Sequence, residues 1–487
     1  MNQYFIGPSV SDPEKAFQID IHLDIAEGQS DLYFPYWRPG RYEPGNFVKW
    51  SRNFSIHGQT KDVAVQKWSP NHWVLNSPIA QRIHVKYEWC FHELNAGSSF
   101  MSSELFYVNP VNLFCFLSQS QGEEIELFID AHDHWKYAGG LPVKWDSSMK
   151  RWKLQAMNYD HLADVPFAFA PEIQQKLWLH EGVDYYCHSI GTLPHRWQLG
   201  EYEDLIKVTN FQHNTMQGLP VKDYHYIFIF TPHRMRHGVE HRNSTMIVMG
   251  QGEVSDEEYH DEVLAIASHE LFHTWNVKYC RPQDLLPYDF TQAQYSATGL
   301  ITEGVTTYYG DLMLWRSGVW TWEKFSKSML DWLNTHCQNP GRFSSSLLDS
   351  SIDTWVDGYV KGTPGRKVSI YNEGALLAFT VDVWMLRKSN GIKSLDDVMR
   401  GMVRHYNVNQ KGYTLEDYWK MIEEAVGEGA EDFRHLAASP VEYTQEVIKA
   451  LEWLGQNCME QLVDGTNQWA LSTLDAEHKL SGLQRCS

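Results

Sequence analysis

His269-Glu270-Leu271-Phe272-His273 sets two imidazoles four residues apart with a carboxylate between them, on a stretch whose periodicity predicts a helix. At about 100° per residue, positions i and i+4 project from one helix face a turn apart, so both rings can reach one small cation. Glu270, beside the first ring, leans toward the same cleft and can take a proton from water without binding metal itself. Chance also produces this spacing, so its surroundings have to carry the reading. A catalytic zinc needs three protein ligands and one open position. Glu303, within the amphipathic stretch from Gly299 to Asp311 (GLITEGVTTYYGD), is the candidate third ligand, because a second helix there would lay its carboxylate against the first. Taken alone Glu303 reads as a solvated helix glutamate; beside the histidine pair it reads as a ligand for one Zn²⁺ per chain. Asp311, two turns further on, could hold an imidazole N–H of His269 or His273 and so fix its tautomer.

Working outward, Ser255 with Glu258 three residues on predicts a capping box that starts the motif helix. Asp256, Glu257, Glu258, Asp261 and Glu262 crowd the positive end of its dipole, and Arg281-Pro282 lies beyond its end. Further helices are expected at 299–316, 321–336, 371–388, 394–405 and 414–426, with a last one at about 441–454 and a polar tail to 487 without strong pattern. Upstream the period is two. FQIDIHL, from Phe17, and the alternation of Ile83, Val85, Tyr87 and Trp89 with Arg82, His84, Lys86 and Glu88 predict half-buried strands. Turn clusters Arg38-Pro39-Gly40 and Glu43-Pro44-Gly45 separate them. Residues 1–165 therefore read as an all-β domain, 166–440 as an α+β domain with strands such as YHYIFIF and STMIVMG first and helices after, and 441–487 as a C-terminal helix and tail.

Composition excludes several classes. The chain has 487 residues, 43% hydrophobic and 14% aromatic, with 20 Trp, which is the make-up of packed multidomain protein rather than disorder. A formal net charge of -20 argues against nucleic acid or an anionic membrane as partner. Seven scattered cysteines without a Cys-x-x-Cys pair fit free thiols in a reducing compartment. No run of eighteen apolar residues occurs, and the N-terminus lacks a basic start followed by an apolar block, so the expectation is a cytoplasmic protein.

The segments SHELFHTWNVKYCRP and LITEGVTTYYGDL resemble the glycyl aminopeptidase family of the gluzincin zinc peptidases, whose pattern is His-Glu-x-x-His-x-Trp-Asn-x-Lys with a downstream Glu-Gly-x-Thr-x-Tyr-Tyr. LYFPYWRPGRY, Leu32 to Tyr42, is similar to the Pro-x-Trp-x-Pro-Gly-x-Tyr of that family's N-terminal β domain. The resemblance implies a thermolysin-like α+β catalytic domain with a mainly helical C-terminal part, and an aminopeptidase preferring a small first residue, Gly or Ala. It also identifies Gly238-Val239-Glu240-His241 with a segment beside the metal, where Glu240, supported by Gly238, would pair with the α-ammonium of a peptide having a free N-terminus. From the residues alone Glu240 is equally a surface charge before a strand. STMIVMG would then be the edge strand along which peptide adds. Tyr371 is similar to the tyrosine that related enzymes aim at the oxyanion, although a tyrosine at a helix start also packs on a core. Two departures stand out: Glu373 occupies a place where the family pattern carries Lys, and the usual PDZ domain after the catalytic domain is not expected here.

The rivals are a zinc endopeptidase without amine anchoring, and a catalytically idle peptide-binding member with a structural metal. Structural zinc commonly takes four ligands including Cys. The intact Glu270, and the lack of a Cys at ligand spacing, favour catalysis. The sequence leaves the oligomeric state open.

Overall fold

The computed structural model describes residues 1–91, 93–463, 466–473 and 483. By internal contacts the chain forms two compact units. The first comprises Met1–Gln198, Val221–Tyr259 and Tyr288–Ala293; the second comprises Leu199–Pro220, His260–Pro287 and the chain from Gln294 on.

The first unit is built on sheets. Seven strands in the order Lys144–Asp146, Arg151–Ala156, Ile125–Ile129, Asn2–Pro8, Ala16–Ile25, Gln81–Cys90 and Ser51–Gly58 make the largest. Its long central strands alternate as the sequence does: Ile19, Ile21, Leu23, Ile83, Val85 and Tyr87 are buried, while Asp20, His22 and His84 are half-buried on the opposite face. Two four-stranded sheets follow, and a five-stranded one runs Gln174–His180, Val183–Gly191, Asp223–Phe230, Ser244–Gly250, Met235–Glu240. Its three inner strands are mutually parallel and covered, which is why Tyr224 to Phe230 reads as a continuous apolar run. Tyr107, Ala138, Ala168 and Ala170 share one buried cluster with Ile190, Ile227, Ile229, Met246 and Val248, tying the five-stranded sheet to the β domain before it. The indole of Trp37 donates to the Asp289 carbonyl at 2.8 Å, which accounts for residues 288–293 belonging here.

The second unit is helical. Its principal helices are Glu203–Met216, most of Asp256–Phe272, Thr306–Arg316, Trp322–Gln338, Leu347–Asp357, Ile370–Lys388, Leu395–His405 and Leu415–Val426. Side-chain caps start several of them. Thr321 accepts from the Lys324 N–H, Ser369 from Asn372, and Thr414 pairs with Asp417 in a capping box. The β-rich start, the mixed region and the helical C-terminal part agree with the expected architecture, and among the described residues no helix is long and apolar enough to cross a membrane. The six cysteines among those residues are free thiols.

Three expectations are corrected. Ser244–Gly250 is an interior strand, because the chain reverses after Glu240 and Met235–Glu240 pairs antiparallel along its open side as the sheet's edge. Residues 203–216, expected to lie among strands, form a helix whose buried face includes Thr209, Gln212, His213 and Thr215, so its apolar period is broken. The C-terminal helix runs Thr444–Trp453, and the stretch expected to lack pattern continues as an antiparallel pair, Gln456–Val463 with Thr466–Thr473. An Asp-Gly between the two runs is a hairpin signal that the polar composition obscured. The rest of the tail, apart from 483, lies outside the described residues.

Candidate metal centre

At the start of the motif helix the Ser255 hydroxyl accepts from the Glu258 N–H at 3.2 Å, one half of the expected capping box. One face brings His269 and His273 together, their Nε2 atoms 3.1 Å apart. The Oε2 of Glu303 stands 3.5 Å from His273 Nε2 and 3.9 Å from His269 Nε2. Donors bound at 2.0–2.1 Å to a tetrahedral zinc stand about 3.3 Å apart, so the three atoms fit one ion with little adjustment. Side-chain exposure is 20% at His269, 2% at His273 and 4% at Glu303, which leaves access from the His269 side. His273 Nδ1 lies 3.1 Å from the Asn276 carbonyl oxygen, which can only accept. That ring therefore carries its proton on Nδ1 and turns a lone pair from Nε2 toward its neighbour, an arrangement suited to a shared cation.

Asn276 has a second task. Its amide donates to the Ile301 carbonyl at 2.7 Å and to the Thr306 hydroxyl at 2.9 Å, holding both ends of the turn that carries Glu303. Val277, next along, has φ 105°, a left-handed value that a β-branched residue adopts only under strain. The strain sits directly after the peptide whose carbonyl orients His273. The Glu303 turn, Leu300–Val305, is π-helical, a wider winding that recurs at functional sites. Two glycines permit its approach to neighbouring elements. A Cβ on Gly304 would lie 2.4 Å from the Gly374 Cα, and one on Gly310 would press on the His269 backbone at 3.2 Å. Ser268 reinforces the second crossing by donating to the Gly310 carbonyl at 2.7 Å, while Gln212 donates to the Ser268 hydroxyl at 2.7 Å. Glu270 is buried on the same helix.

The remaining candidates are placed as follows. Asp311 is half-buried on Thr306–Arg316, one residue after the glycine that abuts His269. Tyr371 occupies the second position of Ile370–Lys388, the helix that crosses the Glu303 turn at Gly374, and lines a cavity of about 260 Å³ with Thr354, Asp357, Thr363 and Lys367. Glu373, in the same first turn, has its carboxylate 2.6 Å from His336 Nδ1 in a buried pair. In the first unit, Gly238 and Glu240 lie on the edge strand, paired with Ile247 and Thr245. Glu240 is 5% exposed, and a Cβ on Gly40, at φ +81°, would fall 2.4 Å from its carboxylate, so the Arg38-Pro39-Gly40 turn lies directly on it. Burial, with the positive charges of Arg38 and Arg41, lowers the pKa of His237 to about 3, which leaves that imidazole neutral beside them. Sequence reasoning missed the linking residues Asn276, Ser268 and Gln212; Asn276 lies inside the quoted family pattern, and that was its signal.

Known proteins share the sequence pattern and the fold. The family model for the M61 glycyl aminopeptidase matches residues 262–377, and that for the peptidase M61 N-terminal domain matches residues 9–171. The fold is shared with an aminopeptidase N family protein from Idiomarina loihiensis, at TM-score 0.86 and 22% identity over 95% of this chain and 80% of that one. An M1 zinc metallopeptidase from Deinococcus radiodurans shares it more distantly, at TM-score 0.58 and 13% identity over 91% and 94% of the two chains. No curated protein matches this sequence significantly.

Proposed function

The chain belongs to the M61 glycyl aminopeptidase family of metallopeptidases, and from that premise we propose that it is a zinc-dependent aminopeptidase releasing a small first residue, Gly or Ala, from peptides. The observation that carries the reading is the convergence of His269, His273 and Glu303 with the His273 proton committed to Asn276. These three residues would hold one Zn²⁺, which when bound supplies Lewis acidity, polarising an amide carbonyl and lowering the pKa of water from 15.7 toward about 7.

The chain's own groups divide the remaining work. Glu270 takes the proton of the attacking water on its carboxylate and delivers it to the departing amine nitrogen. The Tyr371 phenol donates to the oxygen on which negative charge develops. Asp311 orients the His269 ring. Glu240 pairs with the α-ammonium, so that only the first peptide bond reaches the reacting groups, and the peptide adds as a further strand along Met235–Glu240. The burial of Glu240 and its cover by the Arg38-Pro39-Gly40 turn support that role, because an enclosed carboxylate pairs more strongly with a cation.

The test is a chelator-reversible assay on Gly- and Ala-p-nitroanilide beside their N-acetylated forms. Free substrates should be cleaved and blocked ones poorly. Glu240→Ala should lower kcat/KM on free substrates by at least about 30-fold, the loss of one buried charge pair. Tyr371→Phe should lower kcat by about 10²–10³-fold. Efficient cleavage of acetylated peptides would make the protein an endopeptidase and remove Glu240 from the site.

A further inference from the structure

The seven-stranded sheet of the first unit carries another cluster of metal-binding side chains. His22, on Ala16–Ile25, and His84, on Gln81–Cys90, are directly paired across the antiparallel ladder, so both rings stand on one face. Their centroids are 4.0 Å apart. Asp20, two residues before His22 and therefore on the same face, brings Oδ1 to 3.1 Å from His22 Nε2. One ligand atom from each of the three lies within 4.8 Å of the other two.

A plain hydrogen-bonded histidine does not describe this geometry. Asp20 Oδ1 and His22 Nε2 are both shut off from solvent, and neither makes an aligned hydrogen bond, although they are in contact. Two donor atoms in contact but unaligned are placed as ligands of a common cation are. Lys86, half-exposed, takes the other carboxylate oxygen at 3.2 Å and leaves Oδ1 to face the rings. Phe5 packs against His22 from the neighbouring strand with ring centroids 4.9 Å apart, which restrains the imidazole. His57 is paired with His84 on its far side, so a third imidazole projects from the same face.

We propose that Asp20, His22 and His84 form a second cation site for a zinc-class divalent metal, distinct from the peptidase centre. Two imidazoles and one carboxylate are the ligand types that borderline cations select. All three side chains are half-buried, and the remaining coordination positions would be taken by water or by His57, the register partner of His84.

The test is metal uptake by the full chain, by equilibrium dialysis against Zn²⁺ with elemental analysis. Wild type should bind one equivalent more than His84→Ala and one more than Asp20→Asn, with peptidase activity unchanged in both variants. Asp20→Asn nearly preserves shape, so it answers even if His84→Ala folds poorly. Equal uptake by wild type and both variants overturns the proposal. The readout is a difference between wild type and variant, so it stands whether or not the His269 centre performs the chemistry proposed for it.

Discussion

The molecule carries one donor set twice, two imidazoles and a carboxylate, once on helices and once on a sheet. On the helices the rings are a turn apart, His273 and Glu303 are almost fully buried, and the Asn276 carbonyl fixes a tautomer. On the sheet the rings face each other across a strand pair, all three residues are half-buried, and a lysine shares the carboxylate. The difference lies in the surroundings rather than the ligands. The helical cluster is enclosed, ordered from behind and accompanied by Glu270, a carboxylate outside the ligand set. The sheet cluster is suited to holding an ion and not to working on a substrate.

The largest effect should come from Glu270→Gln. If that residue separates a catalytic cluster from a merely binding one, kcat should fall about 10²–10⁴-fold while zinc content is unchanged. Wild-type turnover in this variant would leave the two clusters alike in kind. Next is Asn276→Ala, which keeps the backbone carbonyl but frees the Glu303 turn. Zinc affinity or activity should drop about 10–100-fold, read by competition with a chelator. An unchanged affinity would mean that ordering from behind does not distinguish the clusters.

The smallest effect concerns the strand that carries His84. Glu88, on the same face, accepts from Ser9, Ser11, Arg52 at 2.7 Å and Asn53 at 2.9 Å. The hydroxyls of Ser11 and Ser9, with Arg52, lower its pKa from 4.5 to about 2. A depressed carboxyl stabilises fully above 4.5 and loses that contribution as pH falls toward 2. Glu88→Gln should therefore cost about 1–2 kcal/mol at pH 7, allowing for the exposure of Arg52. In urea titrations the gap to wild type should narrow below pH 4.5. A gap that ignores pH would show that packing, not charge, holds this strand in register.

The same contrast explains what the sequence disclosed. The helical cluster was legible because two of its proposed ligands fall within one turn and the third lies on the next amphipathic stretch. The sheet cluster was not, since His22 and His84 meet only through register, and the alternation that predicted both strands says nothing of which residues face each other. Met235–Glu240 escaped for a related reason: MRHGVE has little of the β-branched alternation of a half-covered strand, so the edge was assigned to the more apolar Ser244–Gly250. Helices 203–216, 347–357 and 431–438 were missed as well; the first buries polar side chains and so hides its period. The π-helical winding around Glu303 and the orienting carbonyl of Asn276 are backbone facts that no side-chain pattern encodes.

The meeting of Gly304 and Gly374 makes the proposed metal centre sensitive to a single methyl group. With an added carbon 2.4 Å from the opposing backbone at Gly304 and 2.6 Å at Gly374, alanine at either position would act as a wedge, prising the helix of Tyr371 away from the turn of Glu303. If the proposed centre is the working one, activity can thus be throttled from a point where none of its assigned side chains is altered.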